Sequence, residues 1–77
     1  MPRYYFHVHD GEDCPDLVGT ELADDAAARA EAIVTAGSLL RELGSNFWGA
    51  DWSMNVQTET GVPVCELRFS AKSPRDR

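Results

Sequence analysis

Hydrophobic and polar residues alternate along the opening of the chain. Tyr4, Phe6 and Val8 fall on one side of an extended segment, and Tyr5, His7 and His9 fall on the other. The first set reads as a core face and the second as a displayed surface. Asp10-Gly11-Glu12-Asp13-Cys14-Pro15 follows as turn chemistry, too polar and too proline-bound to pair. Leu17 to Leu22 can return as a short second strand, weakened by Gly19, with Leu22 reaching the core.

Ala23-Asp24-Asp25 then offers a helix N-cap, and its carboxylates suit the positive end of a helix dipole. Good helix formers run from Asp25 to Leu43, and Gly44 stands where a C-terminal stop belongs. On a helical wheel Ala30, Ile33, Ala36, Gly37, Leu40 and Leu43 share a broad apolar stripe, widened by Ala32 and Leu39. Glu31, Thr35, Ser38 and Glu42 lie opposite. Gly37 costs about 1 kcal/mol of helix propensity relative to alanine, which predicts close backbone approach at that point. Arg29 falls inside the stripe and is expected to snorkel from its edge.

Ser45 to Asp51 connects the helix to a second pair of strands. Trp52, Met54, Val56 and Thr58 alternate against Ser53, Asn55 and Gln57, the pattern of a strand buried on one face. Glu59-Thr60-Gly61 is a hairpin turn with glycine where positive φ is wanted. Cys65, Leu67 and Phe69 then alternate against Val64, Glu66 and Arg68, and Pro63 suits a strand end or an edge. The order β-β-α-β-β predicts an α+β fold, a two-layer sandwich. One face of an antiparallel sheet packs on one long helix, and the other face is polar. Residues 1–71 are expected to form this single domain and residues 72–77 a disordered tail.

Composition narrows the function. A chain of 77 residues buries only roughly 60% of its unfolded surface. A core of that size rarely supplies more than about 3–5 kcal/mol, so a homodimer is expected. With a formal charge of −6 and seven scattered Lys and Arg, the chain lacks the basic stripe that phosphate backbones require, which argues against nucleic acid. No apolar run approaches the roughly 20 residues of a membrane helix, and the opening reads as a strand rather than a signal peptide. A cytoplasmic location follows as the expectation. Cys14 sits in an acidic loop and Cys65 in a strand, and both are expected as reduced thiols, Cys65 serving as a small buried hydrophobe.

Met1-Pro2-Arg3-Tyr4-Tyr5-Phe6-His7 with Asp10-Gly11 is similar to the opening of a family of short alphaproteobacterial proteins of unknown function. The resemblance continues through Gly19-Thr20-Glu21-Leu22-Ala23-Asp24 and Ala28-Arg29-Ala30-Glu31-Ala32. It extends to Trp52, Val56, Gly61 and Leu67-Arg68-Phe69. It spans nearly the whole chain. Members usually carry a polar or charged residue where His9 stands, and few have Cys14 or the Phe47-Trp48 pair. The family brings no established activity with it.

Three features carry candidate chemistry. His7-Val8-His9 sets two imidazoles roughly 6.5–7 Å apart along one strand face. That spacing occurs in metal sites, and Asp10 could add a ligand, as could Glu12, Asp13 or Cys14. The competing interpretation is cross-strand packing beside an ordinary solvated turn, and it is preferred, so no metal or cofactor is assigned. Cys14 lacks an orienting third residue, its acidic neighbours disfavour a thiolate, and no glycine motif cradles phosphate, so no catalytic residues are assigned. Phe47 and Trp48 are expected to cap the open end of the core, the alternative being an exposed anchor for a partner to which Tyr5 adds. The expected role is therefore a non-enzymatic protein-interaction module. A metal-binding or metal-sensing protein is the alternative, and an antitoxin-like regulator a weaker one on fold analogy alone.

Overall fold

β1 (Arg3–His9) runs down the middle of a five-stranded antiparallel sheet. In this computed structural model the described residues are 1–44, 48 and 51–72. One side of β1 pairs with β4 (Asp51–Thr58), and β4 pairs in turn with β5 (Pro63–Ser70), which forms the far edge. Phe6 faces Val56 and Val8 faces Met54 across β1 and β4, while Met54 faces Leu67 and Trp52 faces Phe69 across β4 and β5. These pairs share one face, as the alternation predicts, because side chains opposite one another in a ladder point the same way. A bulge between Val56 and Gln57 adjusts the register next to the turn, where Gly61 takes φ +88°.

The other side of β1 departs from the expected second strand. β2 (Asp13–Cys14) pairs with Val8 and His9, and β3 (Thr20–Glu21) pairs with Arg3 and Tyr4. The returning chain is one antiparallel strand interrupted in the middle. Residues 15–19 leave the ladder there, and Leu17 and Val18 are exposed rather than strand-paired. Two expectations are thereby corrected. The acidic turn does pair at Asp13–Cys14, and the segment from Leu17 to Leu22 contributes only Thr20–Glu21. Leu22 does pack against the core.

α1 (Asp25–Leu43) begins and ends where its caps predict. The Asp24 carboxylate accepts the Ala27 N–H at 2.9 Å, and the Gly44 N–H donates to the Leu40 carbonyl. The helix lies over β4 and β5 and closes a core of Tyr4, Ala28, Ala32, Ala36, Trp52, Met54 and Val56. Its buried line is therefore Ala28, Ala32 and Ala36, flanked by Leu39, Leu40 and Leu43. The expected stripe is rotated: Ala30, Ile33 and Gly37 face outward, with Ile33 61% and Val34 62% exposed. α1 is apolar on so much of its circumference that periodicity alone does not set its rotation. Alanine at the contact line lets the axis approach the large side chains of the sheet, which a branched residue would hold off. The Tyr4 hydroxyl, donating to Asp25 at 2.8 Å, pins the first turn in the same rotation. That hydrogen bond, then burial and the charges of Asp25 and Asp24, hold the Tyr4 phenol above its usual pKa.

Candidate functional site

The face of the sheet away from α1 is built by the residues that alternate with the core. Reading across the strands, His7 lines up with Asn55 and Glu66, His9 with Ser53 and Arg68, and Tyr5 with Gln57. This face holds an open hollow of about 750 Å³, bordered by His7, His9, Asp13, Asn55, Gln57 and Glu66. A second hollow of about 510 Å³ adjoins it at Ser53, Arg68 and Phe69. The Tyr5 and His7 rings stack along β1 with centroids 6.3 Å apart and planes 12° off parallel. Glu66 and Arg68 form an exposed ion pair at 3.4 Å, a contact worth little in water.

Both histidines are engaged at Nδ1 by the loop that follows β1. His9 Nδ1 lies 2.6 Å from the Asp13 carboxylate, its register partner on β2. His7 Nδ1 accepts the backbone N–H of Asp16 at 2.9 Å, so in the neutral ring the proton sits on Nε2. Asp10 turns inward on its own turn, its carboxylate accepting the Glu12 N–H at 3.3 Å. Among the described residues no three His, Cys, Asp or Glu side chains gather around a common point. Cys14 is exposed with Sγ 3.9 Å from the Glu12 carbonyl, and Cys65 packs beside the core. Burial pushes the Cys65 thiol pKa up, and Arg29 only partly offsets this. Trp48 is 61% exposed, which corrects the expectation that it caps the core; Phe47 lies outside the described residues, as does the tail from residue 73.

The residue that organises this face is one the pattern reading passes over. Asp16 sits where the returning strand is interrupted, opposite the middle of β1. Its Oδ2 accepts the Phe6 N–H at 3.1 Å, standing in for the strand carbonyl that is missing there. Its Oδ1 accepts the N–H groups of Val18 at 3.0 Å and Gly19 at 3.1 Å, which closes the loop on itself. Burial, the largest single influence, pushes the Asp16 carboxyl pKa up. The donors from Gly19, Val18 and Phe6, with the nearby His7, outweigh it and hold the pKa below its ordinary value. Arg3 ties down the far end of the loop, donating to the Val18 carbonyl at 2.9 Å and to Glu21 at 3.0 Å. The sequence signal is Asp16-Leu17-Val18-Gly19, an aspartate followed at the third position by a glycine able to take positive φ.

Gly19 is required there twice over. It adopts φ +77°, and a Cβ would come within 2.8 Å of Arg3 Cγ and 3.0 Å of the Tyr5 ring. Gly19→Ala is expected to destabilise the domain by about 1–2 kcal/mol, read from urea unfolding. An unchanged midpoint would mean that the loop is not held in this conformation.

The described residues hold a bordered polar surface stiffened by a buttressed loop. No helix among them is long and apolar enough to cross a membrane. No curated protein and no solved structure matches the chain. The model of one family, described as Domain of unknown function (DUF6894), matches residues 3–70, and the chain belongs to that family.

Proposed function

We propose that the protein is a non-enzymatic cytoplasmic module that acts by contact with other protein chains, beginning with a second copy of itself. The observation that carries this is large apolar surface left uncovered in a very small domain: Leu17, Val18, Ile33, Val34 and Trp48 are all exposed. Among the described residues one helix covers one face of the sheet, and no element of theirs covers the opposite face or pairs with the outer edge of β5, where another chain could match them. The hollows on the open face are broad rather than enclosed, which suits a contact surface better than a reaction chamber. Tyr5, on that face, and Trp48, with Phe47 beside it in sequence, are the aromatic anchors we assign to a partner protein. Two free thiols accord with a reducing compartment.

The self-association part is tested by sedimentation equilibrium of the protein across low to high micromolar concentration. The expected result is a mass of two chains. A one-chain mass at every concentration would overturn the homodimer. For the partner contact, a partner isolated from the source organism should lose affinity by about tenfold or more on Trp48→Ala or Tyr5→Ala, since an anchor is worth at least about 1.4 kcal/mol. Undiminished binding of both variants would remove these residues from the contact.

A further inference from the structure

We propose that two copies of this chain join through the outer edges of their β5 strands, antiparallel, with Leu67 of one copy opposite Leu67 of the other. This rests on the homodimer reading and adds the surface, the direction and the register.

The two edges of the sheet are built differently. Beyond β1 the outer elements are β2 and β3, two residues each, parted by the loop that Asp16 holds. Asp13 and Glu21 stand in them. Short, interrupted, charged edge strands are a usual means of resisting another chain. β5 is the contrary case. It runs for eight residues, keeps unbroken register with β4 from Cys65 to Ser70, and has no neighbour on its outer side among the described residues. Its proline is the first residue, outside the stretch that the proposed ladder uses. Cys65, Leu67 and Phe69 on its core face are only partly buried, whereas Val56, Met54 and Trp52 opposite them on β4 are buried. The apolar face of the sheet therefore reaches this edge half covered.

Charge selects a second copy as the occupant and fixes the register. Glu66 and Arg68 stand on the open face two residues apart, and their partners on β4 are the uncharged Asn55 and Ser53. Residues opposite one another in a ladder share a face, so a continued sheet sets core positions against core positions. Centred on Leu67, the pairing sets Glu66 of each copy against Arg68 of the other, Cys65 against Phe69, and Val64 against Ser70. Opposite side chains lie about 4.5–5.5 Å apart at Cβ, nearer than the roughly 6.5–7 Å between alternate residues of one strand. The exposed Glu66–Arg68 ion pair within each chain, at 3.4 Å, thereby becomes part of a four-charge network. A slip of two residues sets Glu66 against Glu66 one way and Arg68 against Arg68 the other. Larger slips unmake the pairs and shorten the ladder. A two-fold axis through the Leu67 pair closes the assembly, the usual symmetry of a homodimer.

The test is a charge-swap series of wild type, Glu66→Arg, Arg68→Glu and the double variant. Sedimentation equilibrium at low ionic strength, where exposed charges are least screened, reads association, and circular dichroism reads folding. Both side chains are exposed, so the variants should keep the folded spectrum. If one single variant fails to fold, the other carries the test with the double. Each single swap sets like charges opposite one another twice in the dimer, and should raise its dissociation constant by about tenfold or more. The double variant restores both opposite-sign pairs and should return to within about threefold of wild type. The single swaps move the net charge in opposite directions, so a loss in both reads the pairing and not overall repulsion. Single variants that dimerise like wild type, or a double variant as weak as they are, would overturn the β5 interface and leave the homodimer standing. A wild type that remains one chain throughout would overturn both.

Discussion

Met54→Ala is expected to cost about 2–5 kcal/mol, the usual range for truncating a fully buried methionine. Met54 is 0% exposed and is flanked across the ladder by Val8 on β1 and Leu67 on β5. Removing its side chain leaves a void where the sheet meets the alanine line of α1, and a rigid strand cannot move to fill it. A domain this small has little stability in reserve, so a substantial unfolded population at room temperature is expected. The next residue, Asn55, is exposed on the opposite face, and Asn55→Ala should change stability by no more than about 0.5 kcal/mol. Urea unfolding of the two variants reads the contrast directly. Comparable losses at Met54 and Asn55 would mean that the faces of β4 are assigned the wrong way round.

The strands were legible because their periodicity is unambiguous. In β1, β4 and β5 the apolar residues occur at every second position, and a one-residue slip would turn Phe6, Met54 and Leu67 outward together. The ends of α1 were legible as well, since Asp24 and Gly44 are chemically suited to caps whatever the helix packs against. Its rotation was not. Ile33 is more apolar than Ala28, so a wheel weighted by hydrophobicity draws Ile33 into the stripe and leaves Ala28 out of it. Closeness to Trp52 and Met54 decides the matter instead, and closeness favours the small side chain.

The open face was legible in outline and not in its support. Tyr5, His7 and His9 were placed correctly by alternation alone. What His7 does there depends on Asp16, nine positions away, and no local pattern reveals that a loop N–H will find its ring nitrogen. The pairing of Asp13–Cys14 was hidden for a related reason. Asp13 and Cys14 pair with His9 and Val8 of β1, and the His9–Asp13 side-chain contact across that ladder is between residues four apart in a stretch whose composition reads as turn. Side-chain partners made by the returning chain override turn propensity at both points.

Asp16→Ala is expected to cost about 2 kcal/mol near neutral pH, because three backbone N–H groups lose a charged acceptor at once and only some of them regain water. Asp16→Asn should recover part of this and no more. Its amide oxygen can still accept from Val18 and Gly19, but its NH₂ would then face the Phe6 N–H, donor against donor. The acid dependence follows from the direction in which the Asp16 pKa is displaced. Its folded value lies below the ordinary one, so the folded state binds this proton less readily than the unfolded state does. The carboxylate therefore contributes its full stability above the unfolded pKa of about 3.9 and loses it as pH falls through the lower folded value. The gap in unfolding free energy between wild type and Asp16→Asn should accordingly be widest at neutral pH, hold to about pH 5, and shrink toward pH 3. The other carboxylates titrate alike in both proteins, so the change in the difference between about pH 5 and pH 3 reads this residue. A gap that stays constant or grows on acidification would mean that the Asp16 carboxylate is not what holds the loop against β1.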